Sequence, residues 1–108
     1  MEKKIIFKYD RKDFFGNRVY TEDTAFLTVD TMKKAFTGLK KDRLTAVEID
    51  GLFLHSIVIT WNTFTDFEND IVLVRFYEDW NSYTEQKMSF TKAKKLINGY
   101  MKEDGIAA

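Results

Sequence analysis

The chain has no cysteine, no proline and a single histidine among its 108 residues. Without cysteine it can form no disulfide, offers no thiolate nucleophile and cannot build a cysteine-ligated zinc site. A lone histidine adds little, because zinc sites draw their ligands from several His, Cys and acidic residues. The five glycines are scattered and never form a loop that would cradle a phosphate. We therefore expect no metal and no nucleotide cofactor.

Long apolar runs are also missing. No segment approaches the roughly 18 to 20 apolar residues that cross a bilayer, and no apolar signal segment follows Met1. We expect a cytoplasmic protein with no membrane partner. Basic and acidic residues balance at 17 each, so net charge alone does not indicate nucleic acid. The frequent Lys, Phe, Ile and Asn are typical of an AT-rich genome, such as that of a low-GC bacterium or its phage.

The most structured stretch of the sequence is residues 44–61. Asp50-Gly51 separates two apolar, β-branched runs, which predicts a hairpin closed by a two-residue type I′ turn. In that register Ile49 pairs with Leu52. One predicted face carries Val47, Ile49, Leu52, Leu54 and Val58, and the other carries Phe53, His55, Ile57, Ile59 and Trp61.

Three further strands are predicted from alternation and turn residues. Residues 3–9 alternate, and Gly16 predicts a type II′ turn that leads into a returning strand over residues 18–29. Residues 71–77 form another strand, and residues 62–70 and 78–87 are predicted as polar loops.

Two amphipathic helices complete the predicted fold. The first runs from a cap at Thr28 or Asp30 to Leu39 or Lys41, with Met32, Ala35, Phe36 and Leu39 on its apolar stripe. The second runs from a cap at Ser89 or Thr91 to about Lys102. The order β-β-α-β-β-β-α indicates a single α+β domain over residues 1–108. Its expected architecture is an antiparallel sheet of about five strands with two helices.

His55 is the one residue that suggests acid–base chemistry. Ser56 points to the opposite face of a regular strand, so the two cannot form a nucleophile–base dyad. In the predicted register Glu48 is the diagonal neighbour of His55, at about 7 to 8 Å. An ordinary hydrogen-bonded sheet histidine explains the residue more simply. Because no other site constellation is present, we expect a protein that is not an enzyme.

Acidic residues alternate at Asp66, Glu68 and Asp70, as at the start of a calcium-binding loop. An EF-hand needs Gly at the sixth position and Glu at the twelfth, where this chain has Ile71 and Tyr77. The acidic run is therefore better explained as a solvated loop than as a metal site.

Charge is nevertheless distributed unevenly. Residues 63–86 contain six acidic residues and one arginine, whereas residues 87–102 contain five lysines and no acid. Aromatic anchors within a charged rim are typical of protein interfaces. We therefore expect protein–protein contact through two acidic-aromatic loops, residues 63–70 and 78–85, or through a sheet face that the helices leave uncovered. The expected contact residues are Phe64, Asp66, Phe67, Glu68, Asp70, Glu78, Asp79, Trp80, Tyr83 and Glu85.

The expected partner is a basic or nucleic-acid-binding protein, and one version of this hypothesis is a phage or mobile-element antagonist of a host factor. An uncovered aromatic face of the central strand would also support a homodimer. The simpler alternative is a pair of ordinary loops whose aromatic rings fold back onto the sheet.

Lysine-rich helix faces support a different hypothesis, a nucleic-acid-binding module. Helix lysines would contact phosphates while aromatic rings stack on bases. The residues of this alternative are Lys33, Lys34, Lys92, Lys94 and Lys95, with Phe14, Phe15, Tyr9 or Tyr20 available for stacking. Lysines on the outer face of a helix are also often only solvated.

Overall fold

Six strands form one antiparallel sheet within the part of the chain that the computed structural model describes, residues 3–12, 14–41 and 43–106. The strand order is β2-β1-β3-β4-β5-β6. This confirms the α+β class. The elements are β1 (Lys4–Lys12), β2 (Arg18–Phe26), α1 (Val29–Lys40), β3 (Ala46–Asp50), β4 (Ser56–Thr60), α2 (Phe64–Glu68), β5 (Ile71–Tyr77), β6 (Tyr83–Ser89) and α3 (Phe90–Glu103).

Both long helices pack on the same face of the sheet. Inward-pointing residues of neighbouring strands, such as Ile49 on β3 and Ile57 on β4, are fully buried. They join one core with the apolar stripes of the helices, which include Phe36 on α1 and Ile97 on α3. The opposite face carries the alternate residues of each strand, such as Glu48, and neither long helix covers it.

The helix boundaries follow from side-chain caps. Thr28 accepts a hydrogen bond from the Thr31 amide at 3.1 Å, and Thr31 accepts one from the Thr28 amide at 2.8 Å. Such a capping box satisfies amides that have no partner within the helix. The Ser89 hydroxyl caps α3 by accepting one hydrogen bond, from the Lys92 amide at 3.1 Å. Both predicted helices are confirmed, and α3 continues through Gly99 to Glu103.

The predicted two-residue turn at Asp50-Gly51 is wrong. β3 pairs with β4 so that Ile49 lies opposite Ile57, which leaves a five-residue loop over residues 51–55. Within it Leu52 is completely buried, and the Phe53 ring contacts Phe76 and Tyr100 at 5.6 and 5.9 Å. Burial of these two apolar side chains favours the longer loop, because a two-residue turn would place both in strand β4.

The longer loop also changes which residues share a face. Val58 lies on the uncovered face beside Glu48, not with Val47 as predicted. Ile57 and Ile59 point into the core under the helices. The predicted homodimer face of the central strand is therefore covered within the monomer.

The first hairpin differs in a similar way. β1 extends to Lys12, which pairs with Arg18, so the connection is longer than a two-residue turn. Gly16 has φ of +82°, as expected of a turn glycine. Asp13 lies outside the described residues. β2 ends at Phe26 instead of Val29, because Thr28 already caps α1.

Two elements occupy segments that the sequence predicts as loops. The five-residue helix α2 begins after Thr63, whose hydroxyl accepts from the Asp66 amide at 3.0 Å. β6 is an edge strand in which only Met88 is buried, so it lacks the alternation that marks a strand. These additions change the element order to β-β-α-β-β-α-β-β-α.

Loop 51–55 and turn 78–82 lie at the same end of the sheet, because β4 and β5 are neighbours. Lys3 lies at this end too: its Nζ donates to the carbonyl oxygen of Gly51 at 2.7 Å and lies 3.4 Å from Asp104. α2 lies at the opposite end of β5.

Candidate functional site

The two acidic-aromatic loops do not form one surface. Residues 63–70 precede β5 and residues 78–85 follow it, so the seven-residue strand separates them. At 3.4 Å per residue, the two groups lie about 20 Å apart. Each group therefore has to be considered by itself.

The group around α2 is largely engaged within the protein. Asp66 lies 2.9 Å from Lys87, and Asp70 pairs with Lys40. The Phe67 ring packs edge-on against Trp61, with centroids 4.9 Å apart. Because these three side chains already contact other residues of the protein, they have little surface available for a partner. In this group the sequence-predicted contact residues that remain exposed are Phe64, Glu68 and, despite its ion pair, Asp70.

The group after β5 presents more free surface. The Trp80 side chain is 79% exposed in the tight turn 78–82. The Asp79 carboxylate accepts from the amides of Asn81 and Ser82 at 2.7 and 2.9 Å, and the Glu78 amide donates to the Ser82 carbonyl at 3.0 Å. These bonds fix the turn, so Trp80 is held outward on a defined backbone.

Tyr83 adds a half-exposed ring next to this turn. Its centroid lies 5.0 Å from that of Tyr77. The Arg75 guanidinium lies 5.1 Å from the same ring and 2.8 Å from Glu85. Glu85 is thereby neutralised, whereas Glu78 and Asp79 form no ion pair with any described residue.

Loop 51–55 brings two residues to this surface that were not among the predicted contact residues. The His55 amide donates to the Tyr77 carbonyl at 3.1 Å, so the loop lies directly beside the start of turn 78–82. Leu54 is 72% exposed, and His55 is exposed next to it. We call Leu54, His55, Glu78, Asp79, Trp80 and Tyr83 the Trp80 surface. One feature of the sequence could have indicated an exposed Leu54: the run after Gly51 contains more apolar residues than a single buried face accommodates.

Asp50 ends β3 next to this loop. Burial raises the pKa of Asp50 to about 6, helped by a hydrogen bond and charge repulsion from Glu48 and opposed by His55 and Lys8. Two same-face carboxyl groups on one strand cannot both ionise freely. This part of the uncovered face therefore changes charge near neutral pH.

His55 and Glu48 are not diagonal neighbours on two paired strands, as the sequence had predicted. His55 lies in loop 51–55, outside the strand, while Glu48 pairs with Lys8 at 3.3 Å on the uncovered face. Among the described residues no group of three or more His or acidic side chains could hold a metal ion. In the same part of the chain, every helix is too short or too polar to cross a membrane.

The lysines of the nucleic-acid alternative gather on the helical face. Lys33, Lys94, Lys95 and Lys102 line a groove of about 620 Å³ between α1 and α3. Lys34 lines a second groove of about 530 Å³, on the side of α1 toward Tyr9 and Arg43, and Lys92 is exposed in the first turn of α3.

Three of the four aromatic stacking candidates are exposed, but they lie on the β1–β2 hairpin and not in the groove between α1 and α3. Phe14 is 97% exposed at the hairpin tip, and Phe15 and Tyr20 are also exposed. Tyr9 is half-buried beside Asp23 in the groove that Lys34 lines.

The geometry thus offers two separate surfaces of opposite character. One is the Trp80 surface, where exposed apolar side chains lie near two carboxylates that form no ion pair with a described residue. The other is the lysine-lined groove between α1 and α3. No protein-family model matches the chain, and no curated protein or solved structure shows significant similarity to it.

Proposed function

We propose that this protein is a non-enzymatic binding domain that acts through protein–protein contact, and that its contact surface is the Trp80 surface. The observation that carries the proposal is the exposure of Trp80 and Leu54, at 79% and 72%, on two loops that a backbone hydrogen bond from His55 to Tyr77 holds next to each other. Tryptophan is the residue most enriched among interface hot spots, where burial of one ring often contributes about 2 kcal/mol or more.

The charges around these side chains favour a basic partner. Glu78 and Asp79 precede Trp80 in the chain, and neither forms an ion pair with a residue that the structure describes. A partner that covers Trp80 and Leu54 would bring its own rim against these carboxylates, and a basic rim would be attracted and a like-charged one repelled. A basic host protein, including one that itself binds nucleic acid, fits this surface.

The rigidity of the surface supports the same proposal. Turn 78–82 is closed by three hydrogen bonds of 3.0 Å or less, and loop 51–55 is anchored by buried Leu52. Exposed aromatic groups on an ordered backbone lose little entropy on binding.

The experiment uses three matched baits: the wild-type chain, Trp80→Ala and Phe64→Ala. Phe64 is 71% exposed at the opposite end of β5, so its removal controls for a general loss of surface aromatic area. Proteins retained from a host lysate by each bait are identified, and the Kd of each recovered basic protein is then measured with purified components.

We expect a basic protein that binds the wild type and Phe64→Ala equally and binds Trp80→Ala at least about 30-fold more weakly. Circular dichroism should show that all three baits are folded. A partner lost with Phe64→Ala and kept with Trp80→Ala would place the contact at α2 and overturn the assignment.

A further inference from the structure

We propose that the groove between α1 and α3 is a second binding site, which takes the phosphate backbone of a nucleic-acid strand without reading its bases. The two helices run antiparallel across the sheet. Phe36 of α1 meets Phe90 of α3 edge-on at 5.9 Å, while Met32 of α1 faces Met101 across the groove.

Among the described residues, lysines line the groove and no carboxylate does. Lys33, Lys94, Lys95 and Lys102 stand around an apolar floor. A smaller groove of about 360 Å³ shares Lys33 and Lys94 with it and continues along α1 to Lys40 and Lys41. Together the two grooves form a basic track along most of α1.

None of Lys33, Lys94, Lys95 and Lys102 forms an ion pair with a described residue. The four lysines of the larger groove differ in this respect from Lys40 of the smaller one, which pairs with Asp70. On the uncovered sheet face, by contrast, Lys8 lies 3.3 Å from Glu48 and Arg75 lies 2.8 Å from Glu85. Although the net charge of the chain is zero, the helical face that carries this groove therefore has an excess of positive charge.

Lys94 is positioned over the aromatic floor of this track. Its Nζ lies 5.8 Å from the ring centroids of both Phe36 and Phe90. A cation above a ring face gains some stabilisation but keeps its full charge toward an external anion. The ammonium group is thus held in place and remains available to a phosphate.

A polyanion fits this arrangement better than a single small anion, because the lysines are spread along helices. α1 has 12 residues, so a track along most of this helix is up to about 18 Å long. A nucleic-acid strand presents regularly repeated charges over such a length. The Phe36 and Phe90 rings are buried, so no base can stack on them, and the expected binding is independent of sequence.

Salt dependence gives the first test. For a single strand, the logarithm of the binding constant falls with the logarithm of salt concentration by roughly 0.7 per phosphate contacted. Three or four contacts predict that binding weakens roughly 20- to 50-fold between about 50 and 200 mM salt. The measurement is fluorescence anisotropy of a labelled single-stranded oligonucleotide with the full chain.

Charge reversal locates the site. Lys95→Glu and Lys4→Glu change the net charge equally, but Lys95 lines the groove whereas Lys4 is exposed on the opposite sheet face. We expect Lys95→Glu to weaken oligonucleotide binding at least about 10-fold at low salt, and Lys94→Glu with Lys95→Glu to abolish it. Lys4→Glu should weaken binding less than about 3-fold, and circular dichroism should show that both single variants are folded.

Competition separates nucleic acid from other polyanions. Polyglutamate of matched charge and vesicles that contain anionic lipid should each displace the oligonucleotide only at a large excess. Absence of oligonucleotide binding at about 50 mM salt, equal losses for Lys95→Glu and Lys4→Glu, or equal displacement by polyglutamate would each overturn the proposal. Trp80→Ala should bind the oligonucleotide like the wild type, so this test stands apart from that of the Trp80 surface.

Discussion

The indole N–H of Trp61 donates a hydrogen bond to the carbonyl oxygen of Leu39 at 3.0 Å. This bond ties the segment after β4 to the last turn of α1. The same indole ring stacks on Phe90 at 5.7 Å and receives the edge contact of Phe67. Trp61 therefore joins both long helices and α2, and its role is structural.

Replacing Trp61 by Phe should lower the free energy of unfolding by about 1 to 2 kcal/mol. The change removes the hydrogen bond to Leu39 and leaves space beside Phe90. The matched control is Trp80→Phe, which should stay within about 0.5 kcal/mol because Trp80 is exposed. Urea denaturation followed by circular dichroism measures both, and equal losses would contradict the assignment.

Phe67 and Phe64 should respond differently to truncation, although both are aromatic residues of the same short helix. Phe67→Ala removes the ring that packs on Trp61 and should cost about 2 kcal/mol, less than for a fully buried Phe. Phe64→Ala should change stability by less than about 0.5 kcal/mol, because its ring is 71% exposed. Thermal denaturation of the two variants decides whether Phe67 belongs to the core or to a contact surface.

Asp50 predicts a pH dependence with a defined sign. Its folded pKa of about 6 exceeds the ordinary value of 3.8, so ionisation is disfavoured in the folded state. Its contribution to stability is therefore complete below about pH 4 and is lost as the pH rises through 6. Asp50→Asn should match the wild type near pH 4 and exceed it by about 1 kcal/mol at pH 7, a reduced value because Asp50 is partly solvated.

Unfolding free energies measured between pH 4 and 8 test this expectation. Glu68→Gln is a suitable control, since Glu68 is exposed and forms no ion pair with a described residue. A constant difference between Asp50→Asn and the wild type across this range would show that the Asp50 carboxyl titrates normally.

Replacing each of two helical glycines by alanine should change the free energy of unfolding in opposite directions. A Cβ at Gly38 would lie 2.7 Å from the Leu44 Cδ1 and 2.9 Å from its Cγ, so the buried Leu44 would have to move. A Cβ at Gly99 meets nothing within 4 Å. Gly38→Ala should therefore destabilise by about 1 to 3 kcal/mol, and Gly99→Ala should stabilise by about 0.5 to 1 kcal/mol. Differential scanning calorimetry of the two variants would show whether each change raises or lowers the stability.

The elements that the sequence predicted well are those whose signal is local. The apolar stripe of α1 repeats at helical spacing, and Thr28 supplies a cap, so both its extent and its buried face are confirmed. β5 matches its prediction because five of its seven residues are apolar and β-branched or aromatic, bounded by acidic loops. Neither required knowledge of a distant contact.

The elements that were wrong depend on distant residues. Loop 51–55 is long because Leu52 and Phe53 reach the core, where Phe53 meets Tyr100 almost fifty positions away. β6 pairs with β5 but buries only Met88, so its own pattern carries little information. Such tertiary contacts leave no periodicity in the sequence.

The candidate site, too, could be predicted only where the signal is local. Trp80 and its acidic neighbours could be proposed from the composition of one loop, and the structure finds that tryptophan exposed. The position of loop 51–55 next to turn 78–82 could not be predicted, because it follows from the pairing of Ser56 with Tyr77. The separation of α2 from turn 78–82 also requires the extended geometry of β5.

The contacts of Lys3 with Gly51 and Asp104 determine where a reporter group can be attached. They place both ends of the described chain at the sheet end that carries the Trp80 surface. An affinity tag or fluorescent fusion at either terminus would therefore crowd the proposed contact and mask a genuine partner. Because the chain has no cysteine, Asn62→Cys would provide a unique thiol on an exposed residue at the far end of the sheet. Immobilisation through that thiol would leave the Trp80 surface free.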